Sequence, residues 1–184
     1  MHPALLTQRE SILSLADEIR ASFDPFDIDF AALASGIILI RTDGPVGKDA
    51  GFAHIEYVLR PASIESIAHP GESVRVWGAS RKIAVRSIAI NRNAGLPEGE
   101  IFWHEYYHLF FSPRGIQHGE QFVHQYSTEG ALHFREERRA DEFAAAMLVP
   151  SLAGCETISD IMEQHAVSER LASVAARIWQ HHQL

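Results

Sequence analysis

The chain has 184 residues, 46% hydrophobic and 22% charged, a balance typical of soluble globular domains that excludes disorder for the whole. Sixteen Lys and Arg stand against 24 Asp and Glu, so a net charge of −8 argues against a broad nucleic-acid-binding surface. The longest apolar stretch, Phe30 to Ile40, falls well short of the ~20 residues that a membrane span requires.

Thr7-Gln8-Arg9-Glu10 matches a capping box, and Ile12, Leu15, Ile19 and Phe23 then share one helical face. Asp24-Pro25 ends that helix. A shorter one is expected from Asp27 to Gly36, glycine being suited to the left-handed position past a helix end. Ile37 to Thr42 is a β-branched run, followed by a loop at Gly44-Pro45 and Gly47. Phe52 to Arg60 alternates as a half-buried strand stopped by Pro61, and 61–71, with His69-Pro70, reads as a connection. Val74 to Trp77 and Lys82 to Ile90 are two further strands, with Gly78-Ala79-Ser80 as a tight turn between them. The strand at 82–90 is a candidate edge for an extended ligand. Asn91 to Gly95 is a turn by composition.

Pro97 suits a first helical position, and Glu98 and Glu100 complement a helix N-terminus. This helix is expected to reach about Phe111 and break at Ser112-Pro113-Arg114-Gly115. A polar loop over 116–128 follows, and Thr128 can cap a helix from about Gly130 to Val149, closed by Pro150. Thr157 and Asp160 form another capping box. Ser168 caps a last helix whose Leu171, Val174, Ala175 and Ile178 make an apolar stripe. The expected architecture is one α+β domain over 1–184, with N-terminal helices (1–36), a small antiparallel sheet (37–90), metal-binding helices (97–150) and a C-terminal helix pair (157–184). That last pair has a helix-turn-helix outline, but Arg170 and Arg177 are its final helix's only bases, so core packing is expected rather than DNA contact.

Eleven histidines direct attention to metal chemistry. His104-Glu105-Tyr106-Tyr107-His108 is an H-E-x-x-H match inside the helix at 97–111. Residues four apart lie on one helix face, so both imidazoles can converge on one zinc ion. Glu105 sits one step round, where its carboxylate can take a proton from a water on that ion. Chance supplies about 0.06 such matches in a chain of this histidine content, and a helix with two surface histidines is the competing reading.

A catalytic zinc has three protein ligands and an open position. The next helix borders its apolar face (Ala140, Phe143, Ala144, Met147, Leu148) with Glu136 and Glu137, an awkward place for unpaired carboxylates. Asp141 lies about 40° from Glu137 but about 140° from Glu136 round the helix. Glu137 as ligand, with Asp141 accepting N–H from a ligand imidazole, is therefore the preferred pair. Pairing of these acids with Arg135, Arg138 and Arg139 is the competing reading. His118, His124, Tyr126 and His133 are candidate donors to a developing oxyanion. Cys155 can reach a metal but is more simply a small buried hydrophobe. As a lone cysteine it forms no intramolecular disulfide, and the N-terminal residues lack the basic start of a signal peptide, so the expected compartment is the cytoplasm.

HEYYH at 104–108 with EERRADEFAAAMLVP at 136–150 resembles the ImmA/IrrE family of zinc metallopeptidases. The downstream pattern of that family is matched by Glu137, Ala140, Asp141, Phe143, Ala144, Ala145, Leu148 and Pro150. RSIAIN, shortly before the helix at 97–111, and HAVSERLASVAARI near the end are similar as well. Trp103, Tyr106 and Tyr107 depart from it, since the family usually has small residues there. The resemblance implies a zincin-like (gluzincin-type) site holding one Zn2+ per chain on His104, His108 and Glu137, with Glu105 as general base. It further implies an intracellular endopeptidase whose substrate is a helix-turn-helix repressor, often encoded nearby, cut in a stress or DNA-damage response. The rival expectation is a regulatory protein with a structural zinc that sequesters such a partner without cutting it.

Overall fold

The computed structural model describes residues 8–44, 50–65, 73–111 and 130–180, with backbone alone at 8–11, 57–65, 73–83 and 130–133. Thr7 and the Glu10 side chain of the expected capping box, residues 45–49, 66–72 and 112–129 with the expected cap Thr128, and His181 and His182 lie outside the described residues. The elements run α1 (Gln8–Arg20), α2 (Ile28–Ala34), β1 (Ile37–Thr42), β2 (Gly51–Glu65), β3 (Ser73–Asn91), a 3-10 turn (Arg92–Ala94), α3 (Glu98–Phe111), α4 (Gly130–Leu148), α5 (Ile158–His165) and α6 (Glu169–Gln180).

Helix ends follow local chemistry closely. The Asp27 side chain accepts the Phe30 N–H to open α2, and Gly36 takes φ +67° just past its end. At α5 both bonds of the Thr157–Asp160 capping box form. Ser168 Oγ accepts the Leu171 N–H to open α6, whose Leu171, Val174, Ala175 and Ile178 are all buried.

The sheet corrects four expectations. Its strand order is β1-β3-β2, with β1 parallel to β3 and β2 antiparallel to it, so the sheet is mixed rather than antiparallel. β2 takes the far edge and returns as β3 into the middle, which lets β3 run alongside β1. Second, 74–77 and 82–90 belong to one strand. Pro61 pairs with Ser80 while Ser63 pairs with Arg75, so Gly78-Ala79 lies in a bulge of the ladder instead of a turn. Third, the same ladder carries β2 through Pro61 to Glu65, so 61–65 is strand where a connection was expected; Pro61 is tolerated because that strand is an edge, where a missing N–H is cheap. Fourth, 86–90 has β1 on one side and β2 on the other, so it offers no free edge.

The core lies between the sheet's inner face (Ile37, Ala53, Ile88, Ile90) and the helices. α3 is buried nearly all round, with Ile101, Phe102, Trp103, Tyr106, Tyr107 and Leu109 inside. The bulky residues at 103, 106 and 107 pack as an aromatic cluster around Phe143 of α4. The Trp103 indole N–H donates to the Pro25 carbonyl at 2.8 Å. Arg41 of β1 ties Asp29 and Glu98 together, at 2.8 and 2.7 Å, and so fixes where α3 begins.

Glu100 is fully buried on α3. Its carboxylate accepts the Ser168 backbone N–H and, at 2.7 Å, the Ser168 hydroxyl, fastening α3 to the positive end of α6. Glu100→Ala strands both donors, and the expected loss is about 3 kcal/mol by urea unfolding, with Glu100→Gln losing less.

Candidate metal centre

α3 presents His104 and His108 on one face, one turn apart, with ring centroids 4.9 Å apart. α4 crosses beside them and contributes Glu137. One ligand atom from each of His104, His108 and Glu137 lies within 4.8 Å of the others, so the three residues could hold a metal ion. The Nε2 atoms of the two imidazoles are 3.2 Å apart. Glu137 Oε2 is 3.2 Å from His104 Nε2, and its Oε1 is 3.3 Å from His108 Nε2.

Asp141, one turn beyond Glu137, faces the other nitrogen: His104 Nδ1 lies 2.9 Å from Asp141 Oδ1. The helical-angle argument that separated Glu137 from Glu136 holds in the structure. Glu136 turns instead toward Arg139, at 3.4 Å, and Arg138 pairs with Glu142 at 3.0 Å. Arginine pairing is thus real on α4, but it takes the acids at 136 and 142.

Glu105 reaches toward the sheet. Its carboxylate accepts a hydrogen bond from the Ala53 backbone of β2. This approach depends on Gly51. A Cβ there would lie 2.9 Å from Glu105 Cγ, closer than real Cβ atoms come, and it would also strike Ile101 Cγ2. Gly51→Ala must push β2 off α3, with an expected loss of about 1–3 kcal/mol by chemical denaturation.

The carboxyls are driven apart. Burial raises Glu105, and the imidazoles of His104 and His108 only partly offset it. Burial also acts to raise Glu137 and Asp141, but at Glu137 the hydrogen bonds from both imidazoles win and hold it far below the usual carboxylate range. At Asp141, His104 and the Arg170 guanidinium have the same effect. At His104 burial disfavours the charged ring, yet the bonds to Asp141 and Glu137 outweigh it and push the imidazole up to about 9.

Three contributors escaped the sequence reading: Gly51, the Ala53 N–H and Arg170, which donates to Asp141 Oδ1 at 2.6 Å. The glycine at the start of an alternating strand was the one visible signal. His118, His124, Tyr126 and the His133 side chain lie outside the described residues. Cys155 is half-buried, bonded to Gln164 at 3.1 Å. No helix among the described residues is long and apolar enough to cross a membrane.

No family model, curated protein or solved structure matches this chain. The likeness to the ImmA/IrrE peptidases therefore rests on the motif residues of α3, α4 and α6 themselves.

In the metal-free protein His104 is worth more to the fold when protonated. With a folded value of about 9 against roughly 6.5 unfolded, that stabilisation is complete below the lower value and lost as pH rises through the higher. Glu137 and Asp141, both depressed, contribute above their unfolded values and lose that contribution as pH falls. Melting curves of the metal-free chain across pH are expected to decline on the alkaline side, and His104→Gln should flatten that limb.

Proposed function

We propose that the chain is a zinc-dependent endopeptidase, with His104, His108 and Glu137 holding one Zn2+ and Glu105 as general base. The observation that carries this reading is a half-buried carboxyl, Glu105, set beside a cluster of three possible metal donors. The donor types suit zinc, which takes imidazole nitrogen and carboxylate oxygen, and one ligand atom from each of the three residues lies within 4.8 Å of the others. Among the described residues no fourth protein donor joins them, and a catalytic site, unlike a closed structural one, keeps that position for water or substrate.

Zinc bound in such a site supplies Lewis acidity, which lowers the pKa of water and polarises a carbonyl. The protein's own groups do the rest. Asp141 accepts the Nδ1–H of His104 and so keeps Nε2 turned to the cluster. Glu105, anchored by the Ala53 N–H, takes the proton of the attacking water and returns it to the leaving amine, and the burial that raises its pKa makes it a stronger base than a carboxylate in water.

The site offers a place for an extended chain. Ala50 accepts the Asn91 N–H across the β2–β3 ladder, so by alternation Gly51, Ala53 and Ile55 turn their backbone groups away from β3. That outer edge runs beside Glu105 and, among the described residues, has no strand partner. It replaces 82–90 as the strand for substrate pairing. The substrate class follows the family resemblance: a helix-turn-helix repressor encoded nearby, cut in the cytoplasm under stress or DNA damage.

The test combines zinc content with incubation of the chain and the neighbouring repressor. His104→Ala and Glu137→Ala are expected to lose zinc. Glu105→Gln should keep zinc and reduce cleavage by about 100-fold or more. Fragments appearing with Glu105→Gln as fast as with wild type would sink the mechanism. A partner bound but left whole would favour sequestration around a structural zinc.

A further inference from the structure

The first turn of α6 reaches the surroundings of the metal centre twice. Ser168 grips Glu100, one turn before His104 on α3. Two residues later, Arg170 Nη1 donates to Asp141 Oδ1 at 2.6 Å. That same oxygen faces His104 Nδ1 at 2.9 Å. Asp141 is 22% exposed, so without the guanidinium it has solvent on one side and room to turn. Among the described residues Arg170 makes no other ion pair.

We propose that Arg170 is a positioning residue of the metal centre: it clamps Asp141, so that the carboxylate holds the Nδ1–H of His104 and leaves Nε2 aimed at His108 and Glu137. This rests on the metal-centre reading above and adds a tier behind it. Glu100 and Ser168 set the height of α3 against α6, and Arg170 sets Asp141 against the same helix.

Charge alone predicts the opposite sign, because a guanidinium near a dication repels it and its removal would tighten binding. Here that repulsion is small. The charge is matched at 2.6 Å by Asp141, and the Arg170 side chain is 46% exposed to screening solvent. The same exposure limits what the ion pair adds to stability, but the 2.6 Å hydrogen bond fixes the orientation of Asp141, and so clamping outweighs the repulsion.

Zinc affinity of the full chain, measured by competition with a chromophoric chelator, tests this in wild type, Arg170→Ala, Arg170→Lys and Arg177→Ala. Arg177 is exposed on the same helix and serves as the control. Arg170→Ala is expected to weaken zinc about tenfold, Arg170→Lys less than about threefold because an ammonium still reaches the carboxylate, and Arg177→Ala not at all. The melting temperature of metal-free Arg170→Ala should fall by no more than a few degrees, while its His104 Nδ1–H resonance broadens or vanishes. Zinc held as tightly or more tightly by Arg170→Ala than by wild type overturns the clamp alone. A wild-type chain that takes up no zinc overturns the metal-centre reading and the clamp with it.

Discussion

The separation of α3 and α4 is the constraint on which everything else depends. The i, i+4 spacing on α3 brings His104 and His108 together without outside help, but the third donor comes from a different helix. Glu137 reaches both imidazoles only because the two helices are locked close together. Ala140 and Ala144 keep the α4 face low, and Phe143 fills the space between Trp103, Tyr106 and Tyr107, with ring centroids 5.7–6.3 Å apart. Interiors packed this densely do not deform gradually. The bulky residues at 103, 106 and 107 thus stiffen the contact that sets the donor distances.

A second layer of the design is polar. Glu100, Glu105, Glu137 and Asp141 are all wholly or partly withdrawn from water, and each would be costly there alone. Each is answered by a different partner: the start of α6 for Glu100, the β2 backbone for Glu105, two imidazoles for Glu137, and both His104 and Arg170 for Asp141. The candidate centre is consequently a four-element structure. Two helices carry the donors, while an edge strand and the last helix hold them in place.

How much of this was legible in the sequence divides along the range of the interaction. Asp27, Gly36, Thr157 with Asp160, and Ser168 act within a few residues of themselves, and the helix ends fall where those residues put them. The choice of Glu137 over Glu136 was legible for the same reason, since it rests on angles round a single helix. Strand order was not. Ile37 to Thr42 shows an inward and outward alternation, but alternation does not name a neighbour or a direction, so pairing with β3 rather than β2 left no local trace. Gly78-Ala79-Ser80 carried a true signal of irregularity, which a bulge and a turn produce equally. Arg170 looked like one of two solvent-facing bases, because its partner is remote in the chain and meets it only once α6 has docked.

The opposite fates of Glu105 and Glu137 give the site its division of labour. The two carboxyls lie on adjoining helices beside the same histidines, yet one is raised and the other depressed. Distance to the imidazole nitrogens decides it for Glu137, which hydrogen-bonds both rings and so stays anionic, as a cation's ligand must. For Glu105 the deciding factor is burial under β2, which is possible only because residue 51 lacks a side chain. A carboxyl in that setting holds its proton more tightly than one in water. Environments that push two like groups apart are how acid–base and electrostatic roles are divided within one pocket. If the chain is the peptidase proposed above, the glycine that lets the edge strand close over α3 would tune its base while α4 supplies a ligand, and the two could be altered separately.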